Sequence, residues 1–338
     1  MYRAERILIT GGAGFIGSNM VNYILKVSPE TKIVVIDKLD YCSRPANWNP
    51  GLARAPRFTF IKGDILDTQH VLEILEEHEI ETVIHFAAQT HVDNSFCNVT
   101  DFIRDNIEGT NNLLRACHLW GKIKRFLHIS TDEVYGEVPF EQKEGCKETD
   151  PLRPTNPYAA SKAGAEHIAC SYAKSFGLPI IITRANNVYG SLRGEGAHQY
   201  PEKLIPKFSL MLLRGQKLTI HGEGRARRNF IHAEDICRAL ETILQRGEIG
   251  EIYNIGTTCE YSVLEVAEKL LRVIHGKAAK LEDHLAYVED RHFNDCRYHL
   301  DSSKLRALGW EEEVDFDEGL SETAAWFHSH EKEFGPVF

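Results

Sequence analysis

Tyr158 and Lys162 stand four residues apart in the run Tyr158-Ala-Ala-Ser-Lys162, a spacing that puts both side chains on one face of a helix. A tyrosine hydroxyl near an ammonium can serve as a base, because the cation favours the phenolate. Upstream, Ser130-Thr131-Asp132-Glu133-Val134-Tyr135-Gly136 ends an apolar stretch with two adjacent carboxyls. Environment and mutual repulsion split the pKa values of such a pair, so one member can remove a proton while the other donates one. Which carboxyl does which is open at this level. Taken alone, the acids read equally well as a cap or solvated junction, and the Tyr/Lys pair as exposed helix surface.

These groups need a scaffold that brings residue 130 to residue 158. Short Ile/Val-rich runs predict strands at Arg6 to Thr10, Lys32 to Asp37, Phe58 to Asp64, Thr82 to Ala87, Arg125 to Ser130 and Pro179 to Arg184. Helical spacing fills the intervals at Phe15 to Val27, Thr68 to Glu77, Asp101 to Leu119 and Pro157 to Phe176. The last has Asn156 to cap it, Pro157 at its first position and Gly177 past its end. The alternation predicts an α/β fold, a Rossmann-like doubly wound parallel sheet covered on both faces. Beyond Tyr189 the rhythm changes to a polar, Gly-rich stretch. Helices are expected at Glu202 to Arg214, Glu234 to Arg246 and Ser262 to His275, with strands at Lys217 to His221 and Glu251 to Ile255. Two domains are expected: a Rossmann-like domain over 1–190 and a smaller mixed α/β domain over 191–338, from which later segments such as the helix at 234 to 246 can pack back on the first.

Thr10-Gly11-Gly12-Ala13-Gly14-Phe15-Ile16-Gly17 links the first strand to the first helix. Glycines at 11, 14 and 17 permit a tight turn and close backbone approach to a pyrophosphate lying on the helix N-terminus. Asp37 ends the second strand, where a carboxylate accepts from both ribose hydroxyls of NAD and repels the 2′-phosphate of NADP. Asp64 and Ile65 are candidates for the adenine, and Ala87 and Ala88 leave room for the cofactor.

With these motifs in place, the sequence resembles the extended short-chain dehydrogenase/reductase family of nucleotide-sugar enzymes over nearly its whole length. The likeness rests on T-G-G-A-G-F-I-G at 10 to 17, H-F-A-A-Q-T-H-V-D at 85 to 93 and N-x-x-G-T at 106 to 110. It extends through Tyr158/Lys162, Asn187-Val188-Tyr189-Gly190, Pro201-Glu202-Lys203 and Ile205-Pro206-Lys207-Phe208. Within it, S-T-D-E-V-Y-G, Asp93-x-Ser95, Asp290-Arg291 and Asp295-x-Arg297-Tyr298 resemble the NDP-glucose 4,6-dehydratases, hydro-lyases whose product is a 4-keto-6-deoxy sugar. That resemblance implies oxidation at C4, loss of water across C5 and C6, and reduction at C6. Thr131 and Lys162 would assist Tyr158 at the C4 hydroxyl, Glu133 would take the C5 proton and Asp132 would protonate the leaving C6 hydroxyl. An epimerase of the same family, which needs only the C4 steps, typically lacks the acidic pair; that and a non-catalytic NAD-binding regulator are the rival readings.

The resemblance further implies NAD contacts at Gly11, Gly14, Phe15, Ile16, Gly17, Asp37, Lys38, Asp64, Ile65, Ala87, Ala88, Thr90, Asn106, Ser130, Tyr158 and Lys162. Substrate contacts are implied at His91, Asp93, Ser95, Asn187, Glu202, Lys203, Lys207, Arg228, Asn294 and Arg297. The cations among them suit a diphosphate. Asn94, where the bacterial dTDP-glucose enzymes usually carry arginine, and Phe293-Asn294-Asp295 look more like the UDP-glucose 4,6-dehydratases of rhamnose synthesis, so UDP-glucose is favoured over dTDP-glucose. Residues 191 to 197 lengthen a loop near the substrate side, either as a lid or as a surface insertion. A homodimer is also implied, built as a four-helix bundle from the helices near 101 to 119 and 157 to 176.

Composition excludes other classes. A net charge of -10 gives no basic field for nucleic acid or anionic membrane. The eight cysteines form no C-x-x-C pair and no Cys/His cluster, and the sixteen histidines no H-E-x-x-H, so neither metal nor disulfide framework is expected. A strand beginning near Glu5 leaves no room for a signal peptide, and no apolar run spans a membrane. The expected address is the cytoplasm.

Overall fold

The β-branched runs do form strands, and they lie side by side in one parallel sheet. They are β1 (Arg6–Thr10), β2 (Lys32–Asp37), β3 (Phe58–Lys62), β4 (Thr82–His85), β5 (Arg125–Thr131) and β6 (Ile180–Ala185). The computed structural model describes residues 1–51, 54–192, 196–289 and 295–335. Later strands are β7 (Asn187–Tyr189), β8 (Leu218–His221), β9 (Arg227–His232), β10 (Ile252–Ile255), β11 (Glu260–Ser262) and β12 (Leu285–Val288). The main sheet runs β10-β6-β5-β4-β1-β2-β3, parallel throughout. From β1 the chain winds outward through β2 and β3, then returns to place β4 on the other side of β1. That reversal opens a crevice at the carboxyl ends of β1 and β4, where α/β sheets bind ligands.

Alternate residues of each strand feed two apolar layers. Ile7, Ile9 and Val35 pack with Met20, Ile24, Ile236 and Leu240 of the helices Phe15–Val27 and Ala233–Arg246. Leu8, Val34 and Phe126 face the opposite way, onto Val71, Leu75, Leu113 and Ala169 of Thr68–Glu77, Gly109–Trp120 and Pro157–Phe176. Both layers are apolar, as a parallel sheet covered on both faces requires.

Two departures from the expected elements bear on the site. The helix expected over 101 to 119 begins as a short turn, Val99–Phe102, widens into a π-helical stretch, Ile103–Glu108, and only then becomes Gly109–Trp120. The widening turns Asp105 and Asn106 inward, where Asp105 accepts from Lys38 and Gln89 while Asn106 brackets the backbone of Gln89. Helices bulge in this way where side-chain demands override the regular ladder. Second, a strand beyond residue 190 joins the main sheet, β10 pairing with β6, beside the helix Ala233–Arg246, which packs back on Phe15–Val27 as the sequence allows.

What remains forms a smaller lobe. A sheet β11-β9-β7 and a pair β12-β8 surround an apolar centre of Phe208, Leu218, Phe230, Leu270, Phe316 and Leu320. Among the described residues no helix is long and apolar enough to cross a membrane.

Candidate active site

Gly11 opens the crevice. It sits at φ +68°, and a Cβ there would meet the Ala87 backbone nitrogen at 2.6 Å, so only glycine lets the β1 and β4 loops touch. A Cβ on Gly17 would lie 2.3 Å from the Gly11 carbonyl oxygen. Asp37 accepts from the backbone N–H groups of Ala13 (3.0 Å) and Leu39 (2.8 Å), which fixes the carboxylate at the strand end while burial pushes its pKa up. Beneath the floor, the Ala87 N–H donates to Thr10 Oγ1, and the His85 ring bridges Thr10 (2.7 Å) and Thr110 (2.9 Å). Burial, reinforced by Lys162, holds that imidazole neutral down to about 3.

One cavity contains this loop and the chemical groups together. It is lined by Gly11, Gly14, Phe15, Ile16, Gly17, Asp37, Lys38, Asp64, Ile65, Ala87, Ala88, Thr90, Ser130, Thr131, Asp132, Glu133, Tyr158 and Lys162. A second cavity shares Glu133, Asn187, Glu202 and Lys203 with the first and adds His91, Asp93, Lys207 and Arg228. Glu133 stands where the two meet. Asp132 lines the first cavity and Glu133 both, so the acidic pair sits at the junction of the cavity with the dinucleotide residues and the one with Lys207 and Arg228.

The acids owe their positions to two strands. β5 ends at Thr131 beside Ala185 of β6, so the residues that follow, Asp132 and Asn186, also meet. Asn186 donates to Asp132 Oδ2 at 2.8 Å, and the Thr131 hydroxyl to Asp132 Oδ1 at 3.1 Å. Burial first, then the neighbouring Glu133 charge, pushes Asp132 up to about 7 despite those bonds. Glu133 accepts from Asn156 at 3.0 Å and lies 3.3 Å from the Tyr298 hydroxyl, which itself donates to Asp295. Burial raises Glu133 as well, with Asn156, Arg228 and Lys203 opposing.

Tyr158 and Lys162 come from the helix Pro157–Phe176, capped as the sequence indicates: Asn156 Oδ1 accepts from the Ala159 N–H at 2.8 Å and Gly177 takes φ +70°. A buried ion pair, Arg184 Nη2 to Glu166 Oε2 at 2.7 Å, fastens the helix to β6. The phenol differs from expectation. Burial and the charges of Glu133 and Asp132 hold its pKa up, the hydrogen bond with Thr131 opposes them, and Lys162 is turned to the carbonyl of Ile129 at 2.7 Å. Desolvation lowers the Lys162 ammonium to about 8.

Three expected contacts lie outside both cavities. Arg297, expected at the diphosphate, is instead bound to Glu260 and to the carbonyl of Gln142. Ser95 is fully buried with its hydroxyl on Val92 O, and Asn106 acts behind Gln89 rather than at the cavity wall. Asn294, with Asp290, Arg291, Phe293 and positions 193–195 of the long loop, falls outside the described residues. Conversely Gln89, Asn186, Asn156, Tyr41 and Tyr298 reach the site unannounced. The Asp295-x-Arg297-Tyr298 match hinted at Tyr298, the 85 to 93 motif at Gln89 and the helix cap at Asn156; Asn186 and Tyr41 depend on strand pairing and loop closure.

A doubly wound sheet with a glycine turn, a strand-end Asp37 and a Tyr/Lys pair beside two raised carboxyls defines an extended short-chain dehydrogenase/reductase. Residues 8–323 match the model of the GDP-mannose 4,6 dehydratase family, and the chain belongs to this NAD-dependent family of nucleotide-sugar dehydratases. It is 47% identical over 336 residues to a trifunctional UDP-glucose 4,6-dehydratase/UDP-4-keto-6-deoxy-D-glucose 3,5-epimerase/UDP-4-keto-L-rhamnose-reductase of Arabidopsis thaliana, covering 99% of this chain and 49% of that one. The chain thus spans about half the length of these plant relatives. To the dTDP-D-glucose 4,6-dehydratase of Dictyostelium discoideum it is 43% identical, covering 96% of this chain and 82% of that one. The crystal structure of a dTDP-glucose 4,6-dehydratase from Streptomyces venezuelae, solved with NAD bound, superposes with a TM-score of 0.90 at 37% identity, covering 98% of this chain and 100% of that one.

Proposed function

We propose that the chain converts a nucleoside-diphosphate glucose, UDP-glucose in preference to dTDP-glucose, to its 4-keto-6-deoxy sugar. The observation that carries this is the acidic pair: Asp132 raised to about 7 and Glu133 beside it, both opening on the cavity that holds Tyr158. The glycine turn that a Cβ would block, Asp37 and the Ala87 loop fit a bound NAD. NAD held there would supply the hydride acceptor for C4 and the donor for C6, and its positive charge in the oxidised form would favour the Tyr158 phenolate.

The chain's own groups move the protons. Tyr158, hydrogen-bonded to Thr131, takes the C4 hydroxyl proton, and the resulting ketone acidifies C5. Glu133, held by Asn156, removes the C5 proton. Asp132, still protonated near neutrality, gives its proton to the departing C6 hydroxyl, and water leaves. Reprotonation at C5 falls to Glu133. Lys203, Lys207 and Arg228 flank the second cavity and suit the diphosphate; Arg228 is braced over the Tyr298 ring at 4.5 Å and donates to the Asp295 carbonyl at 2.9 Å.

Support for the uridine nucleotide comes from Asn94 and from the higher identity to the plant UDP-glucose enzymes, 47% against 43%. A homodimer is proposed with it. Val99, Ile103, Leu119 and Phe176 project exposed apolar side chains from the helical segments expected to pair.

The test is to incubate purified protein with UDP-glucose and dTDP-glucose separately and follow the mass of the nucleotide sugar. Loss of one water, faster from UDP-glucose, is the expected result. Retention of mass with both sugars would sink the dehydratase reading, and faster loss from dTDP-glucose the choice of nucleotide.

A further inference from the structure

Tyr41 has no part in the chemistry above, yet its hydroxyl lies 2.9 Å from each carboxylate oxygen of Glu202. Its ring meets Tyr200 edge-on at 5.5 Å. Tyr41 belongs to the loop that leaves β2 after Asp37, whereas Tyr200 and Glu202 lead into the helix Leu204–Leu213. All three line the dinucleotide cavity. A second tie joins the same lobes, from Lys203 Nζ to the Thr90 carbonyl at 2.9 Å. Leu39, at φ +61°, occupies a left-handed conformation that leucine rarely adopts, and its N–H is held by Asp37. The loop carrying Tyr41 is therefore anchored to the carboxylate placed for the ribose.

We propose that Tyr41 and Glu202 form a clasp across the dinucleotide cavity that retains the cofactor from the first redox step to the last. The inference rests on the dehydratase reading, in which the hydride equivalent removed from C4 must return to C6 of the same sugar. Loss of the reduced cofactor in between would leave the sugar oxidised with no donor to complete the cycle. The clasp sits at the rim, with Tyr41 46% and Tyr200 36% exposed, so water can replace its hydrogen bond and opening is feasible. Burial and the Glu202 charge raise the Tyr41 phenol, which keeps it a donor throughout the neutral range. Glu202 also lines the second cavity, which places the clasp between the cofactor and sugar chambers.

Tyr41→Phe keeps the ring against Tyr200 and removes only the hydroxyl. The purified variant is to be compared with the parent for copurified dinucleotide and for the exchange of bound cofactor with radiolabelled NAD+. Exchange about five- to tenfold faster is expected, as for loss of a hydrogen bond to a charged group at a partly wet site. Glu202→Gln, which keeps an acceptor oxygen, should show a smaller increase. Thermal midpoints in excess NAD+ check that both variants are folded. Exchange in Tyr41→Phe within about twofold of the parent overturns the clasp; if that variant unfolds, unchanged exchange in Glu202→Gln does the same. Because exchange is read without turnover, failure of the parent to dehydrate sugars would count separately, against the dehydratase reading.

Discussion

A carboxyl that must be protonated to act as an acid costs stability whenever it is forced to ionise. Asp132 titrates near 7 in the folded protein against an ordinary 3.8, so the native state binds the extra proton between those values. Stability from this group consequently falls as pH rises through that window, and the cost is complete above about 7. Asp132→Asn, which keeps the hydrogen-bonding shape, should stabilise the protein by about 2–4 kcal/mol near pH 8 and by almost nothing near pH 3, read from denaturant titrations at both. In turnover the same variant should still oxidise C4 but fail to expel water, so that reduced cofactor accumulates in the absorbance spectrum. An unchanged dehydration rate would remove Asp132 from the role of acid. For the parent, kcat should decline above about 7 as Asp132 ionises, reinforced near 8 by deprotonation of Lys162, and decline in acid as Glu133 is protonated. Asp132 with Glu133, and Tyr158 with Lys162, were legible as pairs because local spacing makes the members of each neighbours, while the sheet brings the two pairs into one cavity. Asn186 was not, since it meets Asp132 only through the pairing of β5 with β6. The partner of Arg297 was hidden likewise: nothing near it in sequence shows that it meets Glu260.

At the scale of elements, Asn156 joins folding to chemistry. One end of its amide caps the helix that carries Tyr158, and the other donates to Glu133. Asn156→Ala should therefore lose about 1 kcal/mol of stability and slow exchange of the C5 proton with deuterated solvent, followed by mass. Asn156→Ser separates the two, restoring the cap without reaching Glu133. Its melting point should recover while C5 exchange stays slow; recovery of both would show that capping alone matters. Long capped helices such as this one declare themselves through Pro157, Gly177 and their periodic apolar residues. Short strands do not. Asn187–Tyr189 and Glu260–Ser262 are three residues each, too brief for alternation to register, and they gain order from pairing with β9. The π-helical stretch escaped for a similar reason, because Asp105 within it is held by Lys38 and Gln89 on two distant loops, those after β2 and β4.

For the whole molecule, two lobes with separate apolar cores meet along the acidic pair, and the remaining unburied apolar surface is unevenly placed. Ile103 is 50% and Phe176 54% exposed, on segments that pack together in the monomer. Exposed apolar side chains at both ends of two adjacent helices suit an isologous interface, in which the same face serves both partners. The segment bearing Ile103 also carries Asp105 and Asn106, which hold the Gln89 loop at the cofactor cavity. Pairing through this face would consequently stiffen the cavity wall from outside. Ile103→Lys should turn a species of twice 38.4 kDa into one of single-chain mass in sedimentation velocity, and should loosen cofactor binding along with it. A parent that sediments as a single chain would dispose of the dimer; a monomeric variant with undiminished cofactor affinity would leave the dimer but cut its link to the site.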